Sequence, residues 1–174
     1  MKWALHENGV WGPQGWEPTA DSERLAAALC TVPAPTHIIV ANVAGERVAR
    51  AVAQAAGHHH AEITWVTACA GQCGVRSGYA VPAQLGADRW AALIGVRARY
   101  AAACVVVNAG TTVTVDALSS DGLFLGGCIV PGAELMQDAL ARGTAQLTRG
   151  IGKFLYFPDN TADAIVSGAV NALA

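Results

Sequence analysis

Glycine, proline and turn residues cut residues 101–143 into pieces too short for anything but strands and one helix. Residues 101–108 form an apolar run centred on Val105, Val106 and Val107, which predicts a buried strand. Gly110-Thr111-Thr112 breaks it. Residues 113–118 then set Val113, Val115 and Ala117 against Thr114 and Asp116, the two-residue period of a strand. Ser119-Ser120-Asp121-Gly122 is a turn signal, residues 123–130 predict a third strand, and Pro131-Gly132 ends it. Residues 133–142 predict a helix closed by Gly143. Strands joined by tight turns and followed by a helix have to bury one sheet face under helical cover.

The first half alternates helix and strand. Residues 21–32 open with an Asp-Ser-Glu cap signal and predict a short amphipathic helix through Leu25, Ala28 and Leu29. Residues 37–43 read as a buried strand, residues 45–56 as a helix stopped by Gly57, and residues 62–68 as the next strand. Trp90, Leu93 and Ile94 begin a helical face that runs to about residue 100. Trp3-Ala4-Leu5 reads as the second strand of a hairpin whose first strand is missing, with Trp11 and Trp16 on a turn packed over the sheet edge. Residues 145–158 predict a long irregular connection. Asn160 is placed to cap a last helix whose apolar face is Ile165, Val166, Ala169, Val170 and Leu173. Both ends of the chain read as cut.

Hydrophobic residues make up 53% of the 174 and charged residues 14%, a balance that supplies a core and disfavours disorder. The net charge of -2 and the scattered basic residues give no footing to nucleic acid or an acidic membrane surface. No stretch reaches the roughly 18 apolar residues of a membrane span, and the start lacks the apolar core of a secretory signal. The chain reads as cytosolic. Cys69 and Cys73 are separated by three residues, not two, with no second pair at zinc-site spacing, so Cys30, Cys69, Cys73, Cys104 and Cys128 read as free, mostly buried thiols. His58-His59-His60 reads as a solvated turn at a helix end.

Two segments carry candidate chemistry. In Asn108-Ala109-Gly110-Thr111-Thr112-Val113-Thr114-Val115-Asp116, a strand turns back through Gly-Thr-Thr, so backbone N–H groups and threonine hydroxyls could face phosphate oxygens. A plain hairpin satisfies the same pattern. In Gly78-Tyr79 and residues 82–90, Asp88 falls where a helix N-cap would sit and Arg89 lies in the first turn. Either Asp88 caps the helix and Arg89 is solvated, or Asp88 takes a proton from a substrate hydroxyl while Arg89 binds an anion. The planar guanidinium suits both oxygens of a carboxylate.

Leu85-Gly86-Ala87-Asp88-Arg89-Trp90 resembles the Gly-x-Asp-Arg pantothenate motif of type III pantothenate kinases. The segment from Asn108 to Asp116 resembles that family's second phosphate motif. Gly126-Gly127-Cys128-Ile129-Val130-Pro131-Gly132, with Leu135-Met136 and Gly143-Thr144-Ala145-Gln146-Leu147, is similar to the segment that follows it. Asn160-Thr161 with Ser167-Gly168 is similar to the later Asn-Thr…Ser-Gly element. Order and spacing agree over residues 37–174, and Bordetella-type accessory factors share the motifs. The resemblance implies an α/β fold of actin-like, sugar-kinase (ribonuclease H-like) lobes. A first lobe would occupy residues 1–100, and residues 101–174 would begin an incomplete second.

It also implies transfer of phosphate from ATP to pantothenate, the first step of coenzyme A synthesis, by a cytoplasmic homodimer using Mg²⁺ and K⁺ or NH4⁺. Asp88 would be the base. Tyr79, Gly86, Ala87, Asp88, Arg89 and Thr161 would line the pantothenate pocket, Thr111 and Thr112 would touch ATP, and Asn108 would stand at the monovalent cation. Asparagine offers that cation an oxygen but no charge, where many members have aspartate. The family's Asp-x-Gly-Asn phosphate motif occurs nowhere in the 174 residues, and neither does its Gly-Gly adenosine motif. Weak or absent kinase activity is therefore expected of this chain. A non-catalytic dimeric or regulatory remnant of the fold, or a kinase of another small hydroxy acid, would present the same residues.

Overall fold

The structure is a computed structural model that describes residues 1–22 and 24–174. Its contacts divide the chain into two compact units, Met1–Cys69 with Val81–Ala91, and Ala70–Ala80 with Ala92–Ala174. Both mix strands and helices.

In the first unit, β1 (Lys2–Glu7) and β2 (Val10–Trp16) form an antiparallel hairpin. Asn8 and Gly9 join them with φ of 50° and 83°. Two left-handed residues give the turn whose twist matches its flanking strands, and Asn-Gly is its strongest sequence signal. Trp3-Ala4-Leu5 thus belongs to the first strand of a hairpin rather than the second. Trp11 and Trp16 lie in or at the end of β2 rather than on a turn, and both are exposed.

Next come α1 (Arg24–Leu29), β3 (His37–Val40), α2 (Glu46–His58) and β4 (Glu62–Trp65). The parallel pairing of β3 and β4 around α2 makes a βαβ unit. Leu25 of α1 and Val48, Val52 and Ala55 of α2 form its core, with Met1, Trp3, Ala26, Leu29 and Val40 packed against them. The predicted cap signal includes Glu23, which lies outside the described residues. Gly57 does not stop α2. The helix runs one residue further, His60 takes the left-handed position at φ 54°, Ala61 N–H donates to the Ala56 carbonyl and His60 N–H to that of Gly57. Those two bonds are the Schellman closure usually supplied by glycine. The strand predicted as buried over 37–43 is half-covered and shorter, with Ile39 exposed, because α2 packs on one side of only two strands.

The second unit is built on a five-stranded sheet in the order β5-β6-β9-β8-β7. Its strands are β5 (Gly71–Gln72), β6 (Val75–Ser77), β7 (Cys104–Ala109), β8 (Thr112–Leu118) and β9 (Leu123–Pro131). Only β6 and β9 run parallel. The helix α3 (Ala87–Arg97) begins in the first unit and ends in the second, while α4 (Ala133–Gly143) and α5 (Thr161–Asn171) follow the sheet. Val106, Thr114, Asp116, Leu118 and Phe124 are buried, whereas Val105 and Val107 are exposed. The apolar run at 101–108 is therefore an edge strand with one open face, not a buried strand. The thiols follow suit. All five are thiols outside any disulfide, Cys104 is half-buried, and the other four are exposed because their segments lie on open faces and turns.

The β8–β9 turn is the most constrained part of this unit. Gly122 has φ 83°, and a Cβ there would stand 2.1 Å from the Gly74 carbonyl oxygen. Arg76 N–H donates to the Gly122 carbonyl at 2.8 Å, and its guanidinium meets Asp121 at 2.5 Å. Arg97 donates to the Ser120 and Ala101 carbonyls at 2.8 and 3.0 Å. The Ser119 hydroxyl, assisted by Arg76 and Arg97, holds the Asp121 carboxyl below its ordinary range. Gly122→Ala combines a left-handed backbone with a backbone overlap. It should cost about 2–4 kcal/mol, read as a lower urea midpoint with an unchanged slope.

Candidate active site

A proline-led turn, Pro82–Gln84, brings the chain to the start of α3. Gly86 precedes the helix and Ala87 is its first residue, so Asp88 lies inside the first turn rather than at the cap. Asp88 Oδ1 accepts the Arg89 N–H at 2.8 Å, and Oδ2 has no hydrogen-bond partner among the described residues. Asp88 is exposed, but Arg89 is only 4% exposed and Trp90 is fully buried. A solvated Arg89 is thereby excluded. Neighbours on a helix point about 100° apart, so adjacent positions can place an acid in solvent and a guanidinium inside.

Tyr79 lies in the second unit just after β6. Its ring sits 5.1 Å from that of Phe124 and its N–H donates to Ser77 Oγ at 3.3 Å. Gly110 and Thr111 form the two-residue turn between β7 and β8. Gly110 N–H donates to the Thr112 carbonyl at 3.0 Å, and Gly132 N–H donates to the Thr111 carbonyl at 2.8 Å. A Cβ on Gly132 would lie 2.1 Å from the Gly110 carbonyl oxygen, so only glycine lets α4 start against this turn. The Thr111 carbonyl is thus occupied by the Gly132 N–H, while Asn108, Thr111 and Thr112 stay exposed. Exposed threonine hydroxyls are donors that can face an anion. The Asn108 amide oxygen is a neutral ligand.

Thr161 is the first residue of α5 and lines an open, mostly apolar groove of about 1070 Å³ between α4 and α5. Pro131 lines the same groove and pairs with Thr112 in the sheet, which links the Gly-Thr-Thr turn to it. Asn160 caps α5 as predicted: its Oδ1 accepts the Asp163 N–H at 3.0 Å. Asp163 returns the contact, accepting from Asn160 Nδ2 at 2.8 Å and from the Lys153 N–H at 2.8 Å. Sequence reasoning missed Asp163. An acid three residues after an Asn cap was the available signal. Of the predicted residues, Gly86, Ala87, Asp88 and Arg89 are contiguous in the first unit. Asn108, Thr111 and Thr112 lie at the end of one hairpin of the second, which also holds Tyr79 and Thr161.

The family model described as type III pantothenate kinase matches residues 1–174. The chain belongs to the type III pantothenate kinase family. It is 44% identical over 174 residues to a type III pantothenate kinase of Nitrosospira multiformis, covering all of this chain and 66% of that protein. It is 47% identical to one of Aromatoleum aromaticum, covering 72% of that protein. The chain therefore spans about two thirds to three quarters of these relatives' lengths. A crystal structure of a conserved Campylobacter jejuni protein described as a Baf family transcriptional activator matches 84% of this chain and 64% of that one. The TM-score is 0.51 at 22% identity, a likeness of fold alone. Among the described residues no helix is long and apolar enough to cross a membrane.

The Asp163 contacts predict a pH effect. The Lys153 N–H, then the Asn160 amide, with the Lys153 charge last, lower its pKa. A carboxyl more acidic folded than unfolded stabilises fully above the unfolded value of about 3.9, and that stabilisation is lost as pH falls through the lower folded value. Asp163→Asn should therefore flatten the loss of stability below about pH 5, measured by urea unfolding across pH. Superimposable acid limbs would contradict it.

Proposed function

We propose that the protein carrying this chain transfers the γ-phosphoryl group of ATP to the terminal hydroxyl of pantothenate. The product would be 4'-phosphopantothenate, in the first step of coenzyme A synthesis. The observation that carries this reading is the pairing of an exposed Asp88 with a buried Arg89, at a Gly-x-Asp-Arg segment in a member of this family. Asp88 Oδ1 is fixed by the Arg89 N–H, which leaves Oδ2 to take the proton as the substrate hydroxyl attacks phosphorus. Arg89 binds the pantothenate carboxylate, a pairing that strengthens where water is excluded. The same reading assigns Gly86 and Ala87 of the first unit, and Tyr79 and Thr161 of the second, to pantothenate.

Thr111 and Thr112 offer hydroxyls to the ATP phosphates, and Asn108 offers an amide oxygen to a monovalent cation, K⁺ or NH4⁺. Magnesium neutralises phosphate charge when bound, and an ion carried in with the nucleotide needs one or two protein carboxylates at most. Among the described residues no group of three or more His, Cys, Asp or Glu could hold a metal. The residues present thus do not build a metal cage of their own. The wider reading is of two actin-like lobes, residues 1–100 and the beginning of a second at 101–174, in a cytoplasmic homodimer.

The test is ADP release dependent on pantothenate, by the natural protein carrying this chain. Asp88→Asn should lower kcat about 10²–10⁴-fold with folding intact by circular dichroism. Arg89→Ala should weaken pantothenate binding by about tenfold to a hundredfold. The 174 residues alone, which contain no Asp-x-Gly-Asn segment, should bind pantothenate yet turn over ATP little or not at all. Full activity in Asp88→Asn would remove the base from this scheme.

A further inference from the structure

We infer that Asp163 is a positioning residue of the pantothenate site, acting through Thr161. This rests on Thr161 touching pantothenate, as proposed above. Residues 150–155 lie along the first two turns of α5, held there by two hydrogen bonds and by close approach at two glycines. A Cβ on Gly150 would stand 3.3 Å from the Ala162 Cβ. A Cβ on Gly152 would meet the Ala162 carbonyl oxygen at 2.4 Å. Lys153 N–H donates to Asp163 Oδ1 at 2.8 Å and Leu155 N–H to Ser167 Oγ at 2.9 Å. Two N–H groups two residues apart thus meet acceptors four residues apart, on successive turns of the helix.

Both acceptors are buried, Asp163 at 7% and Ser167 at 3% exposure. Asp163 is where the segment and the helix cap meet, because its second oxygen holds the Asn160 amide while its N–H is held by Asn160 Oδ1. Thr161 lies between a residue fixed by Asp163, Asn160, and a residue that Gly150 and Gly152 approach closely, Ala162. Helix ends ordinarily fray. This one is locked on both sides of the only hydroxyl it presents to the groove between α4 and α5. A fixed hydroxyl binds more tightly than a mobile one because its ordering is already complete before the ligand arrives.

The experiment is calorimetric titration of pantothenate into the 174-residue protein, its Thr161→Ala and Asp163→Asn variants and the double variant. Thr161→Ala should weaken binding about five- to tenfold, as for one neutral hydrogen bond. Asp163→Asn should weaken it by a similar or smaller factor, and should add nothing in the Thr161→Ala background. A purely structural role would not give that second result. Equal losses in both backgrounds, or wild-type binding by Asp163→Asn beside a weakened Thr161→Ala, would overturn the inference alone. Wild-type binding by Thr161→Ala, or no binding by the unmodified chain, would overturn the proposed site and the inference with it. Should Asp163→Asn fail to fold, the same cycle is read with Ser167→Ala, which loosens the other end of the segment.

Discussion

Gly132 donates its N–H to the Thr111 carbonyl and stands too close to the Gly110 carbonyl to carry a side chain. That contact joins three things. It ends β9, it starts α4, and it fixes the two-residue turn between β7 and β8. Because Pro131 pairs with Thr112 and also lines the groove, the turn that offers hydroxyls and the helix that begins at Thr161 are referred to one strand end. β9 is also the only strand that joins the β5–β6 pair to β7 and β8. A shift of its register by one residue would move every side chain to the opposite face and detach the turn from its glycine.

In the first unit the decisive feature is the change of environment across one peptide bond. Asp88 faces solvent with one oxygen spoken for, while Arg89 is buried. A buried guanidinium needs partners for its donors. In the proposed reaction the carboxylate of the substrate is one of them. The acid beside it lies in the first turn of the same helix.

The strands of the second half were legible because Gly-Thr-Thr, Ser-Ser-Asp-Gly and Pro-Gly leave each run only one length and one period. The caps of α5 were legible for the same local reason. What sequence pattern did not supply was cover. Val105, Val107, Ile39, Cys30 and Cys128 lie in apolar runs and yet are exposed, since a run of valines has the same composition whether one face is covered or two. The Asn8-Gly9 turn was readable but outweighed by the reading of Trp3-Ala4-Leu5 as a returning strand. His60 could not be foreseen as the left-handed closure of α2 with a glycine three residues earlier. The burial of Arg89, which separates a helix cap from a binding residue, is a tertiary fact. So is the docking of Lys153 and Leu155 on Asp163 and Ser167, which joins residues ten and more apart.

The central claim is that Arg89 recognises a carboxylate. The most direct measurement is titration of the 174-residue protein with pantothenate and with pantothenyl alcohol, in which a neutral CH2OH replaces the carboxylate. Saturable binding of pantothenate, at least about tenfold tighter than the alcohol, with the difference abolished in Arg89→Ala, is the predicted result. Equal affinities for the two compounds, or a preference for pantothenate that survives the loss of Arg89, would contradict it.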